Sequence, residues 1–362
     1  MKRSRIDDDT TSDESKKFKI SFENLPNEIV YEIFNFLNHF DAYQAFYFLN
    51  KRFQNLFSHS DYPLHINLPS ISISSFKDYY RNVLLPNKQR ISSFHLSNPF
   101  TIDTIFSSGQ FIYLEKLSLD NTQPIRLTHL SFLPRLHSLT IHSLDCTDVY
   151  LDIFRLPKLK FCEINLKSIA NCDYQSHSIE CLIIKSDFQF HSLPSLFFTL
   201  PELRSLTIDS LDTVPSHDLT ISNSAPSNKL NKLSIKLDLV DFNHFETLTR
   251  YFLRSITYLR ISTGYDPTFL NARRWESLIN DYLPNLRVFD LNHDGLIRNQ
   301  LLTYHECIDQ FNSSFWSKKQ WTFTHQHDWQ ERIDAGIFHS TNPYRYIEHE
   351  EGSFFVHFNM IF

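Results

Sequence analysis

Glycine is nearly missing from this chain, with five residues in 362 where about 7% would be ordinary. None of the five lies in a G-x-G-x-x-G or G-x-x-x-x-G-K-[ST] pattern. Phosphate cradles need glycine so that backbone N–H groups can approach the anion, which argues against a nucleotide-dependent enzyme. Cysteine is scarce and odd in number: Cys146, Cys162, Cys172, Cys181 and Cys307, with no C-x-x-C. Reduced thiols in a cytoplasmic or nuclear compartment are the simplest reading. No apolar run reaches the length of about eighteen residues that spanning a bilayer requires, and no apolar stretch follows MKRSRIDDD as a secretory signal would demand. Positive charge is not in excess, since 41 acidic residues outnumber 35 basic ones for a net charge of −6, so neither a membrane nor a nucleic-acid partner is expected. Hydrolase signatures of the H-E-x-x-H and G-x-S-x-G type are absent.

What is present suffices for a core and for more than one domain, with 41% apolar and 21% charged residues. Residues 1–19 are charged and poor in hydrophobes, as a disordered tail would be. Within them Lys2-Arg3 and Lys16-Lys17-Phe18-Lys19 flank an acidic and polar spacer. That layout resembles a bipartite nuclear-localisation signal, the alternative being a solvated tail.

From residue 91 onward one pattern recurs, apolar-x-x-apolar-x-apolar. It begins with Ile91/Phe94/Leu96, Leu114/Leu117/Leu119 and Leu136/Leu139/Ile141, and ends with Leu286/Phe289/Leu291. Successive units start 20 to 30 residues apart, and four are led by Leu-Pro, at Leu133, Leu156, Leu200 and Leu283. Nine such hexamers in series are similar to leucine-rich repeats, whose period is about 20–29 residues. The last two apolar positions of each unit, two apart, face inward from one short strand. The fold class expected is therefore α/β: a leucine-rich-repeat-like solenoid with parallel strands on a concave face and helices or turns on the convex face. Trp275, Leu278, Ile279 and Tyr282 fit an amphipathic return helix, and Phe242, Phe245, Leu248 and Phe252 nearly do. Returns near residues 142–156 read as irregular turns. The Asn or Cys that usually follows the repeat's last apolar position is replaced by residues such as Thr122, Lys167 and Asp238, so the repeats are degenerate. Beyond residue 300 the period ends. Leu301 to Phe315 reads as a helix, and residues 321–327 and 353–358 alternate as a pair of strands would, capping the solenoid.

In front of the repeats, residues 24–53 read NLPNEIVYEIFNFLNHFDAYQAFYFLNKRF. Pro26 suits a first helical turn, and Ile29, Ile33, Phe34 and Leu37 form one stripe. Asp41 and Gln44 suggest the capped start of a second helix carrying Phe46, Leu49, Phe53 and Leu56. The series Leu25-Pro26, Glu28-Ile29, Ile33-Phe34, Leu37, Asp41 and Asn50-Lys51-Arg52-Phe53 resembles the F-box. The expected divisions are thus a tail at 1–19, an F-box at 20–65, a solenoid at 66–300 and a cap of a helix plus a strand pair at 301–362.

The resemblance implies a non-catalytic role as substrate receptor of a cullin–RING ubiquitin ligase. The F-box would dock on a Skp-type adaptor, and through it on cullin and RING subunits. Leu25, Pro26, Glu28, Ile29, Ile33 and Leu37 would make the adaptor contact, while Phe34, Phe46 and Phe53 would form the module's own core. Residues pointing outward from the strands would hold a protein target, among them His95, Asp120, Glu163, Lys185, Asp209, Lys236, Arg260 and Asp290. That surface mixes charge signs, as suits a protein partner better than nucleic acid. No cofactor or metal is expected. Two other readings exist: an interaction scaffold that leads to no ubiquitylation, and a metal-dependent hydrolase built around His325 and His327, whose H-x-H spacing can put two imidazoles on one face of a strand.

Overall fold

A computed structural model describes residues 22–58, 63–68, 71–107, 111–120, 127–170, 173–212, 229–296, 304–327 and 335–342. The basic clusters of the tail and the stretch 353–358 lie outside the described residues. The chain divides into two compact units, residues 1–61 and 62–362.

Among its described residues the first unit holds three α-helices, α1 (Asn27–Phe36), α2 (His39–Phe46) and α3 (Lys51–Ser58). Two asparagines set the starts of the later pair. Asn38 Oδ1 accepts the Phe40 N–H at 3.0 Å, and Asn50 Oδ1 accepts the Phe53 N–H at 3.1 Å, each satisfying a donor that a helix start leaves unpaired. The second helix expected from sequence is therefore two helices. Asp41 is not its cap but an exposed residue of the first turn of α2. The turn between α2 and α3 also breaks the expected stripe: Phe53 and Leu56 are buried, whereas Leu49 faces solvent. The core is aromatic. Phe34 stacks on Phe57 with centroids 4.8 Å apart, and Phe46 meets Phe22 at 5.1 Å and Phe53 at 5.8 Å.

The second unit is built on one twelve-stranded sheet. Its first ten strands are β1 (Leu64–Leu68), β2 (Ile91–Leu96), β3 (Lys116–Leu119), β4 (Ser138–Asp145), β5 (Phe161–Asn165), β6 (Cys181–Gln189), β7 (Ser205–Asp212), β8 (Lys232–Leu237), β9 (Tyr258–Thr263) and β10 (Val288–Leu296). They stand side by side in chain order and pair in parallel throughout. Each of the nine hexamers supplies one strand, in the register the pattern requires: Phe94, Leu117, Leu139, Cys162, Leu182, Leu206, Leu233, Leu259 and Phe289 fall on one line. All nine are buried. β1 is an extra strand, and it begins inside the stretch assigned to the helical module. Leu64, Ile66 and Leu68 meet Ile91, Phe94 and Leu96 across a register shift, because this strand is one residue shorter than the repeat pattern and so escaped it.

Return segments cover the apolar face. They include α4 (Ile73–Tyr79), α5 (Pro99–Ser107), α6 (Tyr150–Phe154), α7 (Leu193–Thr199), α8 (Phe242–Phe252) and α9 (Ala272–Tyr282). The return expected to be an irregular turn thus holds the short helix α6, fixed by buried Tyr150, Ile153 and Phe154. In α8 the apolar stripe is buried as its spacing predicts, and in α9 Trp275, Leu278 and Ile279 are buried while Tyr282 is only half-buried. Where the usual asparagine is missing, other side chains bond the neighbouring backbone. The Leu166 N–H donates to Ser186 Oγ (2.8 Å) and the Lys167 N–H to Thr147 Oγ1 (3.1 Å).

The sheet ends differently from the expected cap. Helices α10 (Tyr304–Gln310) and α11 (Ser314–Lys319) replace one helix, and β11 (Thr322–His327) pairs with β12 (Ala335–Asn342), a strand the sequence pattern did not single out. β12 lies between β10 and β11 and runs antiparallel to both. Its sequence, AGIFHSTN, lacks clean alternation, so pattern alone passes over it. Ser340 accepts the Leu291 N–H at 2.9 Å, extending the β10–β12 contact past its last backbone pair. Phe311, Phe323, Phe338 and Trp316 pack beneath.

Candidate functional site

Two surfaces collect the residues singled out from the sequence, one on each unit. On the helical unit, α1 turns Val30 and Phe34 inward. The adjacent, outward face of the helix carries Ile29, Ile33 and Phe36, at spacings that bring them together. Ile29 is 41% exposed, Leu37 40% and Phe36 90%, while Ile33 is half-buried. Pro26 and Glu28 are exposed and Leu25 is half-buried. Phe36 was not among the sequence candidates. The signal that points to it is its place three residues after Ile33. Phe48 and Leu49 also stand exposed, in the turn after α2.

The backbone at the start of α1 is held from α3. The Arg52 guanidinium donates to the carbonyl oxygens of Glu23 and Leu25, and to Asn27 Oδ1 from Nη2 at 2.8 Å and from Nε at 3.1 Å. Its planar fork can hold several oxygens at once. One buttressing cation thereby sets the course of the chain through Leu25 and Pro26.

On the sheet unit, the face away from the return helices presents the expected rows. The strand register aligns His95, Ser118, Thr140, Glu163, Ile183, Thr207, Ser234, Arg260 and Asp290 across β2 to β10. Most of the charged members are paired across strands. Asp120 accepts from His95 and, at 3.0 Å, from Ser97 Oγ, and lies 3.8 Å from His142 Nε2. Lys185 meets Asp209 at 3.1 Å. Lys236 instead meets Asp238, two residues further along the chain, at 3.1 Å, and Asp238 accepts across strands from Ser210. Arg260 Nε donates to Asp290 Oδ2 at 2.6 Å, with the two side chains only 16% and 1% exposed. Asp290 is thus a buried counter-ion of Arg260 and not a residue open to a partner. Glu163 differs, since no ion pair is formed by it among the described residues, and it stands between Thr140 and Ile183 in the same row.

His325 lies on β11 opposite Phe338, and His327 opposite Gly336. Among the described residues no group of three His, Cys, Asp or Glu is placed to hold a metal ion. Among the described residues four cysteines form no disulfide, and Cys146, Cys162 and Cys307 are buried. Burial pushes the Cys146 thiol up to about 12, with neighbouring Asp145 adding to the shift. Cys162 is driven well above the ordinary range by its burial first and by nearby Cys146 next. Neither is a nucleophile at neutral pH. No helix among the described residues is long and apolar enough to cross a membrane.

No protein-family profile and no curated protein matches the chain. Among solved structures it is similar to an internalin (inlF) from Listeria monocytogenes str. 4b F2365, at 14% identity and a TM-score of 0.42, over 76% of this chain and 87% of that one. The repeat architecture of this chain rests on its own strand order and register: ten parallel strands in sequence, nine of them each from one apolar-x-x-apolar-x-apolar unit.

Proposed function

We propose that the chain is a non-catalytic substrate receptor of a cullin–RING ubiquitin ligase. Its helical unit acts as an F-box that docks on a Skp-type adaptor, and its repeat sheet holds a target protein. The observation that carries this reading is the outward apolar side of α1, where Ile29, Phe36 and Leu37 face solvent while Val30 and Phe34 close the core. A three-helix unit whose aromatic core is already complete has no internal use for that side, and exposed apolar groups set together mark a partner.

The energetics fit. Burying four aliphatic side chains such as Leu25, Ile29, Ile33 and Leu37 is worth about 6–12 kcal/mol, against an association cost of roughly 4–15 kcal/mol. Those four alone are marginal. Phe36 brings a further ring, a large buried area of about 150–250 Å² for one side chain. On the sheet, Glu163 is the charged row member left to a partner, because Arg260, Lys185 and Asp120 are engaged within the chain.

The test is adaptor capture by the full chain with Ile29→Glu and Phe36→Asp combined. Loss of at least about tenfold in adaptor recovery is expected, with the thermal transition unchanged because both positions are exposed. Undiminished capture would remove this segment from the adaptor contact. Co-elution of cullin with the wild-type chain separates the ligase role from that of a scaffold.

A further inference from the structure

The edge of the sheet at which the strands begin carries a groove apart from the polar face. Two consecutive repeats, Leu133-Pro134-Arg135-Leu136-His137 and Leu156-Pro157-Lys158-Leu159-Lys160, place a basic or titratable residue at both outward positions. Their leucines are buried and fix the backbone between them. Backbone bonds then stack the residues that precede each strand. The His137 N–H donates to Glu115 O at 3.0 Å, the Lys160 N–H to His137 O at 2.9 Å, and the Glu180 N–H to Lys160 O at 2.9 Å. The result is a two-by-two array, Arg135 beside Lys158 and His137 beside Lys160, with neighbours set by the strand spacing of about 4.8 Å. The array lines an open groove of 590 Å³, bounded in repeat order by Glu115 and Glu180.

The charges in this groove are unevenly spent. Glu180 pairs with Lys160 at 3.0 Å and with Arg204 at 3.7 Å, and Glu115 lies 3.9 Å from His137. Arg135 and Lys158 form no ion pair among the described residues. The Arg135 guanidinium lies over the Tyr113 ring at 4.5 Å, a stacking that orients its plane and keeps its N–H edge for a carboxylate. Two such cations one repeat apart, in a chain whose net charge is −6, make a local site of opposite sign to the whole. The flanking carboxylates limit its reach to about two repeats, which disfavours the long, evenly charged track of a nucleic acid.

We propose that this groove binds a short acidic stretch of a partner polypeptide, with Asp or Glu carboxylates of the partner on Arg135 and Lys158. The groove lies within the sheet-bearing unit, so its test needs no adaptor and stands apart from the role of the helical unit. The measurement is fluorescence anisotropy of a labelled hexaglutamate peptide with the full chain. Saturable binding is expected, weakened roughly tenfold by Arg135→Glu with Lys158→Glu and steeply weakened between about 50 and 200 mM salt. The milder pair Arg135→Gln with Lys158→Gln, which serves if the reversed pair fails to fold, should weaken it several-fold, and Lys318→Glu on α11 should leave it unchanged. Equal binding by either double variant that folds, no saturable binding by the wild type, displacement by inorganic phosphate at concentrations matching the peptide, or tighter binding of a six-nucleotide DNA would each overturn the assignment.

Discussion

Arg260 and Asp290 face each other from β9 and β10, and burial decides what the pair is worth. A surface ion pair contributes about 0–1 kcal/mol, but a carboxylate at 1% exposure that loses its guanidinium loses the charge that offsets its burial. Arg260→Ala should therefore cost about 3–5 kcal/mol of unfolding free energy, read from urea denaturation. Replacing the pair by Met and Leu together should recover most of the loss. A cost below about 1 kcal/mol for Arg260→Ala would show that the carboxylate reaches water. The same logic separates residues within α1. Phe34 and Phe36 are two apart and chemically identical, yet only Phe34 meets the Phe57 ring, so truncating Phe34 threatens the fold and changing Phe36 threatens only what docks there.

At the scale of elements, the junction of β10 with β12 is where pH should act. His293 lies on β10 between Thr263 of β9 and Phe338 of β12. Burial lowers its pKa from 6.5 to about 4, outweighing the attraction of Asp266, which works to raise it. A histidine held neutral when folded gives stability that is complete above pH 6.5 and is lost as pH falls toward 4. The loss is on the order of 3 kcal/mol, at about 1.4 kcal/mol per pH unit where one proton is taken up. Urea midpoints measured from pH 7.5 down to 4.5 should fall for the wild type. In His293→Gln the slope in that window should shrink by up to one proton. An unchanged slope would place His293 in contact with solvent.

At the scale of the whole molecule, the division at residue 61 predicts separable folding. Removal of residues 22–58 should abolish adaptor capture and leave a cooperative thermal transition from the sheet-bearing unit, followed by near-ultraviolet circular dichroism, to which Trp275, Trp316 and Trp321 in the packed core contribute. Loss of that transition would mean the sheet needs the helical unit to fold.

How much of this was readable in advance depended on spacing. The nine hexamers named their strands and register because a parallel sheet built one strand per repeat puts the same sequence position on the same line. The amphipathic helices α8 and α9 were legible for a similar local reason. Other features are matters of three-dimensional arrangement. β12 carries no clean alternation and is a strand because β10 and β11 offer it hydrogen bonds from both sides. The break between α2 and α3 follows from Asn50 capping a new helix. The sequence placed Glu163, Arg260 and Asp290 in one row, since period two fixes which way a strand residue points. It could not say that Arg260 and Asp290 cancel each other while Glu163 forms no ion pair among the described residues. Charge neutralisation depends on distances between strands thirty residues apart, and those distances exist only once the sheet has formed.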